Sequence, residues 1–116
     1  MTEKKRSLVR LIKDTIDPMM VFNTLGIKAY KETSVEIRSK CPFHNGKNPT
    51  SFRFDKRTGN WFCFSRFCHK GAGDIFGLVM KKLNMSFNES FSYLAGMLGI
   101  DTEDDYNKLR EIMGDV

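Results

Sequence analysis

The sequence predicts an α+β fold in which a small antiparallel sheet, built around one metal site, is flanked by short helices. Three observations support this fold class. Apolar residues recur at helical spacing near both ends of the chain, and they alternate with polar residues in the middle. Three cysteines and a histidine lie beside the alternating segments. A chain of 116 residues fits a single domain with a modest core.

Two short helices are predicted before the sheet. The first extends from Ser7 to Ile16, where the apolar face consists of Leu8, Leu11, Ile12 and Ile16. Asp17 followed by Pro18 is typical of a helix start, and Gly26 of a helix end. The second helix should therefore cover Met19 to Leu25.

The central segment predicts three strands. Val35 and Ile37 alternate with polar residues, which indicates a half-buried strand. Residues 50–64 form a predicted hairpin, because two alternating runs enclose the turn-rich DKRTGN. The chain has ten phenylalanines, so we expect most of them in the core. That expectation includes Phe52, Phe54, Phe62 and Phe64.

Two further helices are predicted after the sheet. Gly73 and Asp74 precede the first, whose apolar face is Ile75, Phe76, Val79, Met80 and Leu83. Ser86 and Glu89 have the spacing of a capping box for the second, which should end at Gly99. The polar residues 101–116 are predicted to be a C-terminal helix or a linker, separate from a domain at 1–100.

Two pairs of metal-ligating residues flank the predicted hairpin. CPFH supplies Cys41 and His44, and CFSRFC supplies Cys63 and Cys68. Structural zinc sites use four such ligands, often two from each of two tight turns. Buried cysteines with an incidental histidine are the alternative, and His69 could replace Cys68. We predict one structural Zn²⁺, because four protein ligands leave no position for a reactive water.

Charge and hydropathy indicate the surroundings in which the chain works. Nineteen Lys and Arg against fourteen Asp and Glu give a net charge of +5, which would attract a polyanion or serve only solubility. No apolar run is long enough to span a membrane, and the N-terminus lacks a secretory signal. We expect a soluble, cytoplasmic protein with no membrane partner.

Four motifs carry a resemblance to a known family. CPFHNGKNPTSFRF, WFCFSRFC, KGAGDIFGLV and SFNESFSYLAGMLGI resemble, in that order, the zinc-binding domain of bacterial and phage DNA primases. The resemblance implies a primase-type zinc ribbon at residues 34–70 within the domain 1–100, with Cys41, His44, Cys63 and Cys68 as ligands. Four residues separate the last two cysteines where the family usually has two, and PTSF is one residue longer than the usual PSF.

The resemblance also implies partners, and it implies a bacterial or phage-infected cell as the source. In such primases this domain binds single-stranded template DNA and works with a separate toprim-type catalytic domain or subunit in RNA primer synthesis. A replicative helicase is a further candidate partner. The chain has no catalytic triad, no P-loop and no paired inward carboxylates, so we do not expect it to be catalytic alone.

Cations and an indole near the ribbon are candidate DNA contacts, because phosphates need cations and bases stack on aromatic rings. These candidates are Arg38, Lys40, Lys47, Arg53, Lys56, Arg57, Trp61 and Arg66. Each could instead be an ordinary solvent-facing strand residue or, for Trp61, a core residue. The alternative function is a regulatory zinc ribbon that docks on a replication polymerase or helicase without reading DNA.

Overall fold

The computed structural model describes residues 3–44, 47–65 and 71–100. Two helices come first, α1 (Glu3–Thr15) and α2 (Pro18–Thr24). Five strands follow within the described residues, and two helices come last. The strands are β1 (Ala29–Glu32), β2 (Glu36–Ser39), β3 (Phe52–Asp55), β4 (Asn60–Cys63) and β5 (Ala72–Asp74), and the helices are α3 (Ile75–Leu83) and α4 (Phe87–Met97).

The strands form one antiparallel sheet in the order β1-β2-β3-β4-β5. Neighbours in sequence are therefore neighbours in the sheet, which is the simplest way to connect short strands by tight turns. An α+β fold with a small antiparallel sheet flanked by helices is confirmed. The predicted hairpin of residues 50–64 corresponds to β3, its turn and β4.

Two strands were not predicted from the sequence, β1 and β5. Most residues of β1 are exposed, so its sequence lacks the apolar alternation that marks a half-buried strand. β5 has three residues and a central glycine. Gly73 is required by packing, because a Cβ atom there would lie 2.9 Å from Trp61 Cζ2.

The helix ends follow the predicted capping chemistry. The Asp17 side chain accepts a hydrogen bond from Met19 N at the start of α2, with Pro18 in the first turn. Ser86 and Glu89 form the capping box of α4, and hydrogen bonding to Ser86 lowers the pKa of Glu89 below its ordinary value. Gly99 has a φ of 70°, the left-handed conformation that commonly follows a helix end.

One hydrophobic core joins the four helices to one face of the sheet, which we call the inner face. It contains Ile37, Phe52, Phe54, Trp61 and Cys63. The helices contribute their apolar faces: Leu8, Ile12, Val21, Phe22, Ile75, Phe76, Leu78, Val79, Phe91 and Leu94. Among the described residues, no helix has the length and apolar character needed to cross a bilayer.

Candidate metal centre and outer sheet face

The candidate metal centre lies at the end of the sheet where β2 and β4 stop. Cys41 follows β2 by two residues and is 3% exposed, and Cys63 is the last residue of β4 and is 4% exposed. His44 stands in the turn that begins after Cys41 and is half-buried. The antiparallel ladder from β2 through β3 to β4 brings the two cysteines to the same end of the sheet.

The three side chains converge closely enough to share an ion. Their ligand atoms lie within 4.8 Å of one another, and His44 Nε2 is 3.3 Å from Cys63 Sγ. Bonds of about 2.0 Å to nitrogen and 2.3 Å to sulfur in a tetrahedron separate those two atoms by about 3.5 Å. Thiolate and imidazole are also the ligands that zinc prefers. The Cys-His-Cys group therefore fits zinc in both spacing and chemistry.

The fourth predicted ligand, Cys68, and its alternative, His69, lie outside the described residues. Arg66 and the tail 101–116 lie outside them as well.

The turn that carries His44 is anchored by an aromatic cluster. The ring of Phe43 lies 5.3 Å from Trp61 and 6.1 Å from Phe52, measured between ring centroids. Phe52 stacks on Trp61 at 5.4 Å. Such ring pairs each add about 0.5 to 1.5 kcal/mol beyond the area that they bury. The turn is thus supported from the core side, which favours one fixed position for His44.

The position of Trp61 contradicts its prediction as a DNA contact. Its side chain is 1% exposed, and its indole Nε1 donates a hydrogen bond to the main-chain carbonyl of Asp74 at 2.7 Å. A base cannot stack on a ring enclosed in this way. In a strand, successive side chains point to opposite faces, and Trp61 shares the inner face with Cys63.

Phe62 and Phe64 correct a second expectation, because they are not in the core. They are 46% and 56% exposed, and their rings form an edge-to-face pair at 4.9 Å. Phe62 occupies the face of β4 opposite Trp61, and Phe64 follows at the same phase. Alternation within WFCF places Trp61 and Phe62 on opposite faces, and the position of the helices decides which of the two faces is buried.

Two arginines lie beside these rings on the same side, which we call the outer face. Arg38, Arg53 and Phe62 are consecutive partners across β2, β3 and β4. The Arg38 guanidinium carbon lies 5.6 Å from the centroid of the Phe64 ring, within the range of a cation–π contact. The outer face therefore combines cations with exposed aromatic rings.

Glu36 holds both arginines. Its Oε2 atom lies 2.8 Å from Arg38 Nε and 3.0 Å from Arg53 Nε. Arg38 also donates from Nη1 to the Thr50 carbonyl at 3.2 Å. Two like charges side by side would otherwise repel, so the carboxylate between them offsets that repulsion.

The remaining predicted DNA contacts have different surroundings. Lys40 and Lys47 are exposed. Lys56 Nζ lies 2.6 Å from Glu32 Oε2, and Arg57 forms two hydrogen bonds of 3.2 Å with the Asp55 carboxylate. That pairing lowers the pKa of Asp55 and raises the pKa of Arg57. Both cations stand in the turn between β3 and β4, beyond the end of the outer face.

Comparison with known proteins gives consistent matches. The sequence model of the CHC2 zinc finger, a zinc ribbon of the DnaG type, matches residues 4–110. A DNA primase of Deinococcus radiodurans is 36% identical over 72 residues, which cover 62% of this chain and 12% of that protein. A DNA primase of Clostridium acetobutylicum is 36% identical over 78 residues, covering 67% and 12% respectively.

A solved structure has a similar fold. The crystal structure of the Aquifex aeolicus primase, comprising its zinc-binding and RNA polymerase domains, superposes with a TM-score of 0.65 at 24% identity. The match covers 90% of this chain and 24% of that one. This chain therefore spans only a small part of the length of the primases that it matches.

Proposed function

This chain belongs to the CHC2 zinc-finger family of DnaG-type DNA primases, and on that basis we propose that it is a zinc-ribbon module that binds single-stranded template DNA. Its role would be to help choose the start site of an RNA primer. Primer synthesis itself would belong to a toprim-type catalytic domain or subunit, and a replicative helicase is a further proposed partner.

The outer face is the observation that carries this proposal. Single-stranded DNA is bound by cations that meet its phosphates and by aromatic rings on which its bases stack. Phe62 and Phe64 offer exposed rings, and Arg38 and Arg53 stand next to them. The arginines would meet phosphates and position the strand, while the rings would hold its bases.

Zinc would have a structural role in this function. Cys41, His44 and Cys63 would hold one ion, with Cys68 as the proposed fourth ligand. When bound, such an ion supplies cross-linking rather than catalysis, because a closed ligand shell leaves no open position. The cross-link would join the ends of β2 and β4, the two strands that carry Arg38 and Phe62. The rigidity of the outer face would therefore depend on the metal centre.

Fluorescence anisotropy with labelled single-stranded DNA tests the proposal. We expect salt-sensitive binding by the wild-type chain, and weaker binding by Phe62→Ala and Phe64→Ala. Removal of each stacking ring should cost about 1 to 3 kcal/mol of binding free energy. Charge reversal of Arg38 should also weaken binding and lower its salt dependence.

The matched controls are Leu83→Ala, an exposed apolar residue of α3, and Lys82→Glu, an exposed cation of the same helix. Zinc content and melting temperature show that each variant is folded. Absence of DNA binding by the wild type at low salt would contradict the proposal. It would favour the alternative function, a regulatory zinc ribbon that docks on a replication polymerase or helicase. Equal effects of the outer-face and control variants would contradict the assigned surface.

A further inference from the structure

A second charged surface lies away from the outer face, in a groove between α1 and the turn that joins β3 to β4. The groove has a volume of about 480 Å³. Helix α1 contributes Arg6, Arg10 and Lys13 to its lining, and the turn contributes Lys56 and Arg57. We call this feature the α1 groove. None of the three α1 cations was among the DNA contacts predicted from the sequence.

The three cations of α1 form a single line. They are spaced at i, i+4 and i+7, so they lie on one stripe of the helix. At a rise of 1.5 Å per residue, the line extends over about 10 Å. Leu8 and Ile12 belong to another stripe, which is buried in the core. Burial of that stripe fixes the rotation of α1 and aims its cations at the turn.

The lining of the α1 groove contains five cations and a single carboxylate. Lys56 and Arg57 are paired with Glu32 and Asp55, and Lys13 Nζ lies 2.9 Å from Asp74 Oδ2. Asp14 is the only acidic residue in the described lining. Arg10 is exposed, and no carboxylate of the described residues forms an ion pair with it.

An extended polyanion suits this surface better than a compact one. A line of cations matches a ligand whose negative charges are also spaced along a line, and a nucleic acid backbone is such a ligand. The lining described for the α1 groove contains no aromatic ring. Contacts there would therefore be electrostatic and independent of base sequence.

Strand β3 connects the two surfaces. Arg53 lies on the outer face within β3, and Arg57 stands two residues beyond the end of that strand in the wall of the α1 groove. A strand of DNA held on the outer face can reach the α1 groove by passing around the turn between β3 and β4.

We propose that the α1 groove binds the phosphodiester backbone of the single-stranded DNA that leaves the outer face. This inference rests on the proposed function, and it adds a second site at which the backbone alone is held. Arg10 is the residue that best reports on it, because it is exposed and forms no ion pair with a carboxylate of the described residues. Asp14, four residues further along α1, lies in the same lining without pairing with it.

The experiment compares Arg10→Glu with wild type by anisotropy, using oligothymidylates of about four and about twelve nucleotides, which bracket the usual site size of small single-strand binding domains. With the longer oligonucleotide we expect about twofold to fivefold weaker binding, as for the loss of one exposed ion pair. The slope of log affinity against log salt should fall by about 0.7 for each phosphate that the protein no longer neutralises. With the shorter one we expect little change.

Three further variants make the result specific. Arg10→Lys should bind both oligonucleotides about as tightly as wild type, because it keeps a cation on the same stripe of α1. Lys82→Glu produces the same change in net charge on α3 and should leave binding of both oligonucleotides unchanged. Phe62→Ala should weaken binding of both, because the outer face holds either length. Zinc content and melting temperature verify that Arg10→Glu is folded.

The outcomes separate this inference from the proposed function. The role of the α1 groove would be overturned if Arg10→Glu bound the longer oligonucleotide as tightly as wild type while Phe62→Ala still weakened binding. That result would leave the role of the outer face intact. An equal decrease with both lengths, or the same decrease in Lys82→Glu, would also overturn it, since only net charge would then matter. No binding of either oligonucleotide by wild type would overturn both proposals.

Discussion

The two faces of β4 carry aromatic residues of similar size with opposite surroundings. Trp61 is enclosed by Phe52, Phe43 and the backbone of Gly73, and its indole nitrogen is hydrogen-bonded. Its neighbour Phe62 faces solvent and contacts Phe64. Aromatic residues near a binding surface therefore cannot be assigned by type. Their phase in the strand decides whether they stabilise the fold or are available to a ligand.

Metal removal should destabilise the inner face more than any other change, because Cys41 and Cys63 belong to the buried side of the sheet. A structural zinc contributes on the order of 10 kcal/mol, comparable to the whole stability of a small domain. We expect a chelator to unfold the ribbon. Trp61 is the only tryptophan of the chain, so its fluorescence should shift to longer wavelength as the inner face opens.

Re-addition of zinc should reverse the change, which provides the control for chelator damage. Cys63→Ser should behave as the chelated protein does. An unchanged melting temperature after complete metal removal would show that the inner face is stable without the ion.

Alanine substitution at Trp61 and Phe62 tests the comparison directly. We expect Trp61→Ala to lower the free energy of unfolding by about 3 to 5 kcal/mol, since it leaves a cavity in the core. We expect Phe62→Ala to lower it by less than about 1 kcal/mol, since it removes only a surface ring pair. Chemical denaturation of the zinc-loaded proteins measures both values. Similar decreases at the two positions would contradict the division between faces.

Substitution of Asp74 should have the smallest effect on stability. Asp74 lies where the sheet meets α3. Its side chain accepts a hydrogen bond from Gly77 N at 2.9 Å and pairs with Lys13. Burial alone would raise the pKa of Asp74, but the hydrogen bonds from Lys13 and Gly77 N outweigh it and lower the pKa below its ordinary value. Asp74→Asn keeps a capping side chain and removes the ion pair, so it should cost about 0.2 to 1 kcal/mol.

The pH dependence of that cost has a definite sign. A carboxyl group with a lowered pKa stabilises the fold above its unfolded value of about 3.9 and loses that contribution as pH falls through its folded value. The difference in stability between wild type and Asp74→Asn should therefore be constant from pH 7 to about 5 and shrink below that. Parallel thermal melts measure it, and Asp14→Asn, the same change at an exposed carboxylate without an ion pair among the described residues, serves as the control. A difference that grows as the pH falls would contradict the lowered pKa.

Local signals predicted much of this molecule. The Asp17-Pro18 start and the Ser86-Glu89 capping box each depend on residues within one helical turn, and both formed as predicted. The fold class also followed from local periodicity. The grouping of Cys41, His44 and Cys63 was predicted from ligand type and spacing, and the ladder from β2 through β3 to β4 brings these residues to one end of the sheet.

Non-local contacts explain what the sequence did not predict. β5 is a strand because β4 lies beside it, and Gly73 within it is determined by the position of the Trp61 ring. Trp61 and Phe62 have equal claims to a binding surface when judged as residue types. The choice between them required knowing which side of the sheet the helices cover.

Short-range hydrogen bonds, periodicity and donor chemistry are properties of the amino-acid sequence, and they predicted the capped helix ends, the hairpin and a group of candidate metal ligands. The first helix was predicted to begin at Ser7 but begins at Glu3, and periodicity missed this extension because the polar residues before Ser7 carry no apolar pattern. Packing established which aromatic rings remain exposed, and it placed the cations of α1 opposite the turn between β3 and β4. The physical reason is that burial, and contacts between charges, form between elements that are far apart in the sequence. The distances between such elements depend on how the whole chain packs.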